Sequence, residues 1–154
     1  MFIDYNEQKA LLKSIEEFIS LELGHDLKKL RYPIDCRFMD PQGVNTLSIY
    51  FDRYGDNLYI KFGDLDKKGI KEIEICRIIF KKTRKGYGTL LLSRLVDLAV
   101  KYNYSEICIH AANENSTAFG EKFGFKTHGN SLYVTVADLK SNLLARKQAN
   151  SSKT

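Results

Sequence analysis

The chain has 154 residues, of which 44% are hydrophobic and 28% are charged, and its formal net charge is +5. This length predicts one domain that is large enough to bury a core. No run of eighteen apolar residues occurs, and the first residues lack the basic and apolar segments of a secretory signal. A protein that stays in the cytoplasm is therefore expected.

Cysteine and histidine usage argues against a disulfide framework and against a metal site. Cys36, Cys76 and Cys108 all lie in strand-like runs, and their odd number without regular spacing predicts reduced, buried thiols. The three histidines are far apart and share no ligand spacing with one another or with the cysteines. We expect no bound metal.

A helical pattern opens the chain. Asp4 and Glu7 have the spacing of a capping box, which predicts a helix over about residues 6–20. A second, shorter helix is suggested by Leu21, Leu23, Leu27 and Leu30, interrupted at Gly24-His25 and ended before Pro33. The apolar stripe of the first helix is formed by Leu11, Leu12, Ile15, Phe18 and Ile19.

An antiparallel meander is predicted next. Strand patterns cover residues 34–39, 44–53 and 58–62, and Asp40-Pro41-Gln42-Gly43 has the sequence of a type I turn. Beyond a central strand, the pattern changes to helix, strand, helix and a final pair of strands. These later elements are expected at about residues 88–102, 106–110, 116–123, 125–128 and 132–136. The order predicts an α+β domain with a mixed sheet.

The central strand leads through a glycine turn into a helix. Alternation of Glu72, Glu74 and Cys76 with isoleucines indicates the strand, and apolar residues at helical spacing follow the turn Gly86-Tyr87-Gly88. Glycine permits backbone conformations that side chains disfavour, and the first amides of a helix have no partner within it. With Arg84 and Lys85 beside them, these amides predict an anion site, and phosphate is the usual anion.

The glycine turn does not match two common phosphate-binding loops. A Walker loop requires Gly-Lys-Ser/Thr and a dinucleotide loop requires a third glycine, whereas Gly88 is followed by Thr89-Leu90-Leu91. Neither pattern fits. A tight turn before a helix, without any ligand, is the alternative that this segment alone leaves open.

Two segments together resemble the GNAT superfamily of acyl-CoA-dependent N-acetyltransferases. The first runs from Glu72 to Thr89 and is similar to the strand and pyrophosphate loop of the histone-modifying members. The second has Asn, a small residue three positions later, an aromatic residue and a closing Gly-Phe, at Asn113, Ser116, Phe119, Gly124 and Phe125. The two signatures occur in the family's order and span about residues 70–125.

Two positions depart from the family pattern. Thr83 stands where members usually have Arg or Gln. The contact that the Arg or Gln side chain makes with the pyrophosphate is therefore in doubt for this chain. Gly120 stands where many members have the tyrosine that protonates the departing thiolate. A catalytically weak or inactive CoA-binding or protein-interaction module of the same fold is therefore an alternative to an active enzyme.

The resemblance implies a three-layer α+β fold, with a central mixed, mostly antiparallel twisted sheet flanked by helices. It implies one acyltransferase domain at 1–138, followed by a polar tail at 139–154 that we expect to fray. Acetyl-CoA is the implied co-substrate, and an amine is the acceptor: a protein lysine, a protein N-terminus or a small amine. The implied cofactor-binding residues are Ile78, Ile79, Phe80, Arg84, Lys85, Gly86, Tyr87, Gly88, Thr89, Asn113, Ser116 and Phe119.

The general base should be a carboxylate on the strand that ends at the loop. Glu72 matches the base of the histone-type members by position, while Glu74 lies closer to the loop, and a bulge after Cys76 could change which of them faces the cleft. The alternative for each glutamate is that its side chain faces solvent and has no catalytic role. His110 could relay a proton, although a lone histidine is more often structural.

Other partners are less favoured by the sequence. The basic residues have a use in binding CoA phosphates, and the aromatic residues show no sheet-surface stacking motif, so nucleic acid is an unlikely partner. No membrane association is expected, and a homodimer is left open.

Overall fold

The computed structural model describes residues 2–110 and 112–151. The helices within these residues are α1 (Tyr5–Glu17), α2 (Tyr87–Tyr102), α3 (Glu114–Lys122) and α4 (Val136–Ser151). The strands are β1 (Ile34–Arg37), β2 (Thr46–Arg53), β3 (Asp56–Gly63), β4 (Glu72–Ile79), β5 (Glu106–Ile109), β6 (Lys126–His128) and β7 (Ser131–Thr135).

The strands form one mixed sheet in the order β1-β2-β3-β4-β5-β7-β6. All neighbouring strands are antiparallel except β4 and β5, which are parallel, with Ile73 opposite Ile107 and Ile75 opposite Ile109. A bulge interrupts β4 at Cys76, because Ile75 pairs with Ile60 while Arg77 pairs with Tyr59. The predicted α+β class and the mixed, mostly antiparallel sheet flanked by helices are confirmed.

One face of the sheet carries the core. Its side chains are buried and belong to a single cluster that also contains Leu11 of α1, Leu95 of α2 and Leu139 of α4, while Gly120 of α3 lies against Leu132. The sheet's contribution to this cluster consists of Leu47, Ile49, Phe51, Leu58, Ile60, Phe62, Ile73, Ile75, Ile107, Ile109, Leu132 and Val134. The helices therefore pack on the same face of the sheet.

The opposite face of the sheet is polar and largely open. Tyr50, Tyr59, Lys61, Glu74 and Tyr133 are half-buried or exposed there. Among the described residues no helix covers this face. The helices described therefore form one layer on the sheet, and they do not supply the third layer that was expected. We refer below to this surface as the open face.

The expected second helix, interrupted at Gly24-His25, is present only as two short helical turns. After α1 the chain makes one π-helical turn, Phe18–Glu22, and a short 3₁₀ turn, Leu27–Lys29. Gly24 between them adopts a positive φ of 77°, which ends the helical path. Leu23 and Leu27 pack against the main core instead of forming a separate stripe.

The C-terminal segment also differs from the prediction. Residues 139–151 continue α4 rather than forming a frayed tail, while residues 152–154 lie outside the described part of the chain. Leu139 is fully buried, and Asn142 Nδ2 donates to the carbonyl of Phe123 at 2.8 Å. Because α4 packs on α2, the folded unit extends to Ser151 instead of ending at residue 138.

A buried polar cluster fixes the start of β4. Glu7 of α1 forms an ion pair with Lys71 at 2.8 Å and accepts a hydrogen bond from the Tyr104 hydroxyl at 2.6 Å. The Lys71 side chain also lies over the Tyr104 ring. The cluster therefore ties α1 to the residues that precede β4 and β5, the two strands that flank the candidate site.

Candidate active site

A cavity of about 620 Å³ lies where β4 ends and α2 begins. The end of β4, the loop 80–86, the first turn of α2, the end of β5 and the start of α3 form its walls. It is lined by Ile78, Ile79, Phe80, Lys82, Thr83, Arg84, Lys85, Gly86, Tyr87, Gly88, Thr89, Ile109, Asn113, Asn115, Ser116, Phe119 and Lys122.

The structure brings all twelve residues predicted to bind the cofactor to this one cavity. Five further lining residues were not predicted: Lys82, Thr83, Ile109, Asn115 and Lys122. Lys122 is not one of the positions that define either motif. It lies at the cavity wall because α3 packs against α2. Together with Lys82, Arg84 and Lys85, it gives the cavity four cationic side chains.

The first turn of α2 offers unpaired backbone amides to the cavity. Gly86 is the N-cap residue with φ 76° and ψ 13°, and no side chain caps the helix there. The first bond within the helix runs from the Leu90 amide to the Gly86 carbonyl at 3.0 Å. The amides of Tyr87, Gly88 and Thr89 are thus free to bind an anion, and the helix dipole favours negative charge there.

Gly88 allows α2 and α3 to approach each other closely. A Cβ atom at this position would lie 2.8 Å from the ring of Phe119. That ring packs edge-on against Phe123, with 5.2 Å between the ring centroids. Gly88 therefore serves the packing of α2 against α3. Gly86 serves a different purpose, because it adopts a left-handed backbone conformation.

Asn113 and Ser116 form the N-terminal cap of α3. The Asn113 side chain accepts from the Ser116 amide at 2.9 Å, and the Ser116 hydroxyl accepts from the Asn113 amide at 2.8 Å. This capping box stabilises the first turn of α3. Both residues line the cavity, so the second signature has a local structural role in addition to its place at the site.

Gly120 has no room for a side chain. A Cβ atom there would lie 2.7 Å from Leu132 Cδ1 and 3.3 Å from Ile109 Cδ1. The position faces the core and not the cavity wall. A tyrosine could not be accommodated at position 120 without rearranging this part of the core.

Strands β4 and β5 separate at the inner end of the cavity. Within the described residues, their parallel pairing ends at Ile75 and Ile109, and the His110 amide then donates to the Ile75 carbonyl at 3.0 Å. Beyond this point β4 continues to Ile79 beside β3 alone. The end of this pairing lies beside Ile109, which lines the cavity, and we refer to it below as the strand gap.

Glu72 and Glu74 both lie on the open face but in different surroundings. Glu72 is 3% exposed and lies opposite Glu106 of β5 in the sheet. Burial raises the pKa of Glu72, and the negative charges of Asp66 and Glu106 raise it further. Glu74 is half-buried, and its Oε1 atom lies 3.3 Å from His110 Nδ1.

The cysteines do not have the properties of nucleophiles. Burial raises the pKa of Cys76 to about 11, with a further contribution from the nearby Glu74 carboxylate. Burial likewise raises the pKa of Cys108 to about 12. Both thiols are therefore protonated at neutral pH, and a thiolate is the reactive form of cysteine.

Metal-binding clusters and membrane-spanning helices are both missing from the described residues. Residues 2–110 and 112–151 contain no group of three or more His, Cys, Asp or Glu side chains placed to hold a metal ion. None of the helices described is long and apolar enough to cross a membrane.

Solved structures with a similar fold share little sequence with this chain. The structure of AtaTR bound with AcCoA is 11% identical, with a TM-score of 0.46 over 62% of this chain and 69% of that one. The KacTA-DNA complex is 11% identical, with a TM-score of 0.47 over 84% and 83% of the two chains. AtaT complexed with acetyl-methionyl-tRNAfMet is 13% identical, with a TM-score of 0.41 over 63% and 75%.

One of these structures is bound to acetyl-CoA, and two are complexes with DNA or tRNA. No finding supports the expectation that nucleic acid is an unlikely partner of this chain, and it stays a prediction. No curated protein sequence matches the chain. The sequence model of the acetyltransferase (GNAT) family matches residues 49–125, which is half of the chain and contains β3, β4, α2, β5 and α3. The chain therefore belongs to the GNAT acetyltransferase family.

Proposed function

We propose that the protein is an N-acetyltransferase that transfers an acetyl group from acetyl-CoA to a primary amine by direct attack. The observation that carries this proposal is the cavity at the start of α2, where the unpaired amides of Tyr87, Gly88 and Thr89 meet four cationic side chains. The free thiols of Cys36, Cys76 and Cys108 suit a reducing compartment, and we place the reaction in the cytoplasm.

The lining of the cavity suits the separate parts of acetyl-CoA. The amides of α2 would bind the pyrophosphate, and Lys82, Arg84, Lys85 and Lys122 would balance the remaining phosphate charge. The apolar side chains of Ile78, Ile79 and Phe80 would contact the pantetheine arm, with Asn113, Ser116 and Phe119 on the opposite wall. The acetyl group would then lie at the inner end, where β4 and β5 separate.

The acceptor amine would approach from the open face. Glu72 and Glu74 are the two carboxylates that β4 presents there, and a base is needed because amines are protonated at neutral pH. The resemblance to histone-type members favours Glu72 as the base, and burial raises the pKa of its carboxyl above the ordinary value. Glu74 lies closer to the gap between the strands. The direct transfer forms no covalent enzyme intermediate.

A CoA-binding module without turnover is the second candidate. The packing of Gly120 favours it, because the position of the usual general acid is filled by core side chains. Both candidates bind acetyl-CoA. They differ only in whether thiol is released when an amine is added.

Calorimetry with acetyl-CoA tests the binding site that both candidates share. Gly86→Val should abolish binding, because a β-branched side chain disfavours the left-handed backbone that exposes the amides. Gly24→Val is the matched control, since Gly24 has φ 77° and, like Gly86, has open space around a Cβ atom. Unchanged affinity in Gly86→Val would contradict the proposed site.

Thiol release then separates the two candidates. The wild-type protein is incubated with acetyl-CoA and, in turn, with a lysine-containing peptide, a peptide with a free N-terminus and spermidine. Amine-dependent release supports the transferase. Tight acetyl-CoA binding without release with any amine class supports the binding module.

A further inference from the structure

We propose that His110 is the group that transfers protons at the acetyl centre, and that Glu74 positions it. This inference rests on the proposed N-acetyltransferase function and assigns a catalytic residue that the family's signatures do not contain. Three features of the site carry it: the place of His110 at the strand gap, its contact with Glu74, and the unsuitability of the other groups nearby.

His110 lies at the strand gap, on the open face. It directly follows Ile109, which lines the cavity, and its amide donates a hydrogen bond to the Ile75 carbonyl of β4. Alternation along β5 directs Ile109 to the core and places His110 on the same face as Glu74. A thioester at the inner end of the cavity and an amine on the open face would thus meet beside this imidazole.

Glu74 lies beside one nitrogen of the imidazole. The Glu74 Oε1 atom lies 3.3 Å from His110 Nδ1, and the Glu74 side chain is only 17% exposed, whereas the His110 side chain is 59% exposed. In the tautomer that directs an Nδ1 proton to this carboxylate, Nε2 is the nitrogen with a free lone pair. The largely exposed imidazole could then accept a proton from an incoming amine through Nε2.

The remaining groups on this part of the open face are less suited to the role. In the sheet, Glu74 pairs with Cys108, and Cys108 pairs with Tyr133. Burial raises the pKa of Cys76 and Cys108 to about 11 and about 12, and the pKa of Tyr133 is raised to about 12, chiefly by the neighbouring Cys108. Gly120 offers no side chain. Glu72, the base that the family resemblance favours, lies beyond Glu74 along β4 and farther from the end of the β4–β5 pairing, and it is the competing assignment that the kinetic test below decides.

The transfer balances in protons and electrons. Neutral His110 takes one proton from the acceptor ammonium through Nε2, which frees the nitrogen lone pair. The amine nitrogen then bonds to the acetyl carbon, and the carbon–sulfur bond breaks with its electron pair leaving on sulfur. The imidazolium returns its proton to the CoA thiolate, and the second proton of the nitrogen passes to water. No group is oxidised or reduced.

Imidazole NMR tests the location of His110 without knowledge of the acceptor. Saturating acetyl-CoA should shift the side-chain resonances of His110 and leave those of His128, on β6 at the far edge of the sheet, in place. Glu74→Gln should change the tautomer signature of His110. If calorimetry shows binding while the His110 resonances do not move, the assignment is overturned and the proposed function stands. Absence of binding would overturn both.

Kinetics with an accepting amine test the chemical role. His110→Gln should lower kcat about a hundredfold, within the range typical of general acid–base groups, with an unchanged KM for acetyl-CoA. The rate should recover as the pH approaches the pKa of the amine. Glu74→Gln should give a smaller loss and Glu74→Asp partial rescue, as a positioning residue requires. A wild-type pH profile in His110→Gln, with the loss confined to Glu72→Gln, would assign the proton transfer to Glu72 instead.

Discussion

At the scale of single residues, Glu72 is a carboxyl group whose surroundings disfavour its charge. Burial and the nearby Asp66 and Glu106 carboxylates raise its pKa above the ordinary value of 4.5. The folded protein therefore holds this proton more tightly than the unfolded chain does. The resulting stabilisation is fully present below the unfolded pKa and is lost as the pH rises through the folded pKa.

Glu72→Gln should remove this pH dependence. Relative to the wild type, the variant should gain stability as the pH rises above the ordinary carboxyl pKa of 4.5, because it carries no charge that burial opposes. Urea denaturation at several pH values measures the effect. Glu121→Gln, at an exposed position of α3, provides the control. Parallel stability curves for the wild type and Glu72→Gln would show that Glu72 is not desolvated in solution.

The residues of the cavity could be predicted because they belong to two local sequence motifs. All twelve lie within the segments around the central glycines and around Asn113, where chain connectivity keeps them together. The contact between Glu74 and His110 could not be predicted in the same way, since it depends on which strands become neighbours. The packing of Gly120 of α3 against Leu132 of β7 likewise depends on how elements distant in sequence pack together.

At the scale of the elements, α3 shows that a family signature can serve local structure. The Asn113–Ser116 capping box satisfies two amides at the start of this helix. Asn113→Ala should lower the unfolding free energy by about 1 kcal/mol and weaken acetyl-CoA binding through a looser α3. Asn113→Asp keeps the acceptor oxygen of the cap and should retain stability.

The same pair of variants separates the cap from a direct contact with the ligand. Denaturation and calorimetry are measured on both. If Asn113→Asp is as stable as the wild type but loses acetyl-CoA affinity as strongly as Asn113→Ala, position 113 acts on the ligand apart from the cap, through the neutral amide or through the negative charge that Asp adds beside the phosphates. Equal stability of all three proteins would contradict the capping role.

Helix α4 is an element that packing creates from a weakly patterned sequence. Its segment is mostly polar, and the prediction of a frayed tail followed from that composition. Leu139 is nevertheless fully buried, and tertiary contacts of this kind supply most of the stability of helices in proteins. Leu139→Ala should lower the unfolding free energy by about 2–5 kcal/mol.

Leu144 of the same helix is the matched control, because its side chain is 54% exposed. Leu144→Ala should change stability by less than about 0.5 kcal/mol. Both variants are compared by urea denaturation. A small effect of Leu139→Ala would mean that α4 is detached from α2 in solution. It would support the original prediction of a frayed C-terminal tail.

At the scale of the whole molecule, the order of elements could be predicted but the cover of the sheet could not. Alternating apolar residues and turn sequences placed the meander, the crossover helix and the final hairpin correctly. The spacing of Leu21, Leu23, Leu27 and Leu30 suggested a second helix, whereas Leu23, Leu27 and Leu30 pack onto the existing core. Tertiary packing thus overrode local periodicity.

The charge of the molecule is concentrated where the proposed ligand is anionic. The net charge is +5, and Lys82, Arg84, Lys85 and Lys122 surround one cavity. Charge screening shortens from a length of about 10 Å at 0.1 M salt to about 3 Å at 1 M. The affinity for acetyl-CoA should therefore fall as sodium chloride is raised.

Arg84→Ala and Lys85→Ala should each weaken acetyl-CoA binding by about 1 kcal/mol at low salt, because both side chains are exposed and partly screened. Each variant should also show a smaller salt dependence than the wild type, since it has one fewer cation to screen. Lys13→Ala on α1, equally exposed and away from the cavity, controls for the change in net charge. Calorimetry across a salt series gives both quantities. If Lys13→Ala weakens binding as much as Arg84→Ala, overall charge attracts the ligand; a loss confined to the loop variants assigns the attraction to the cavity at the start of α2.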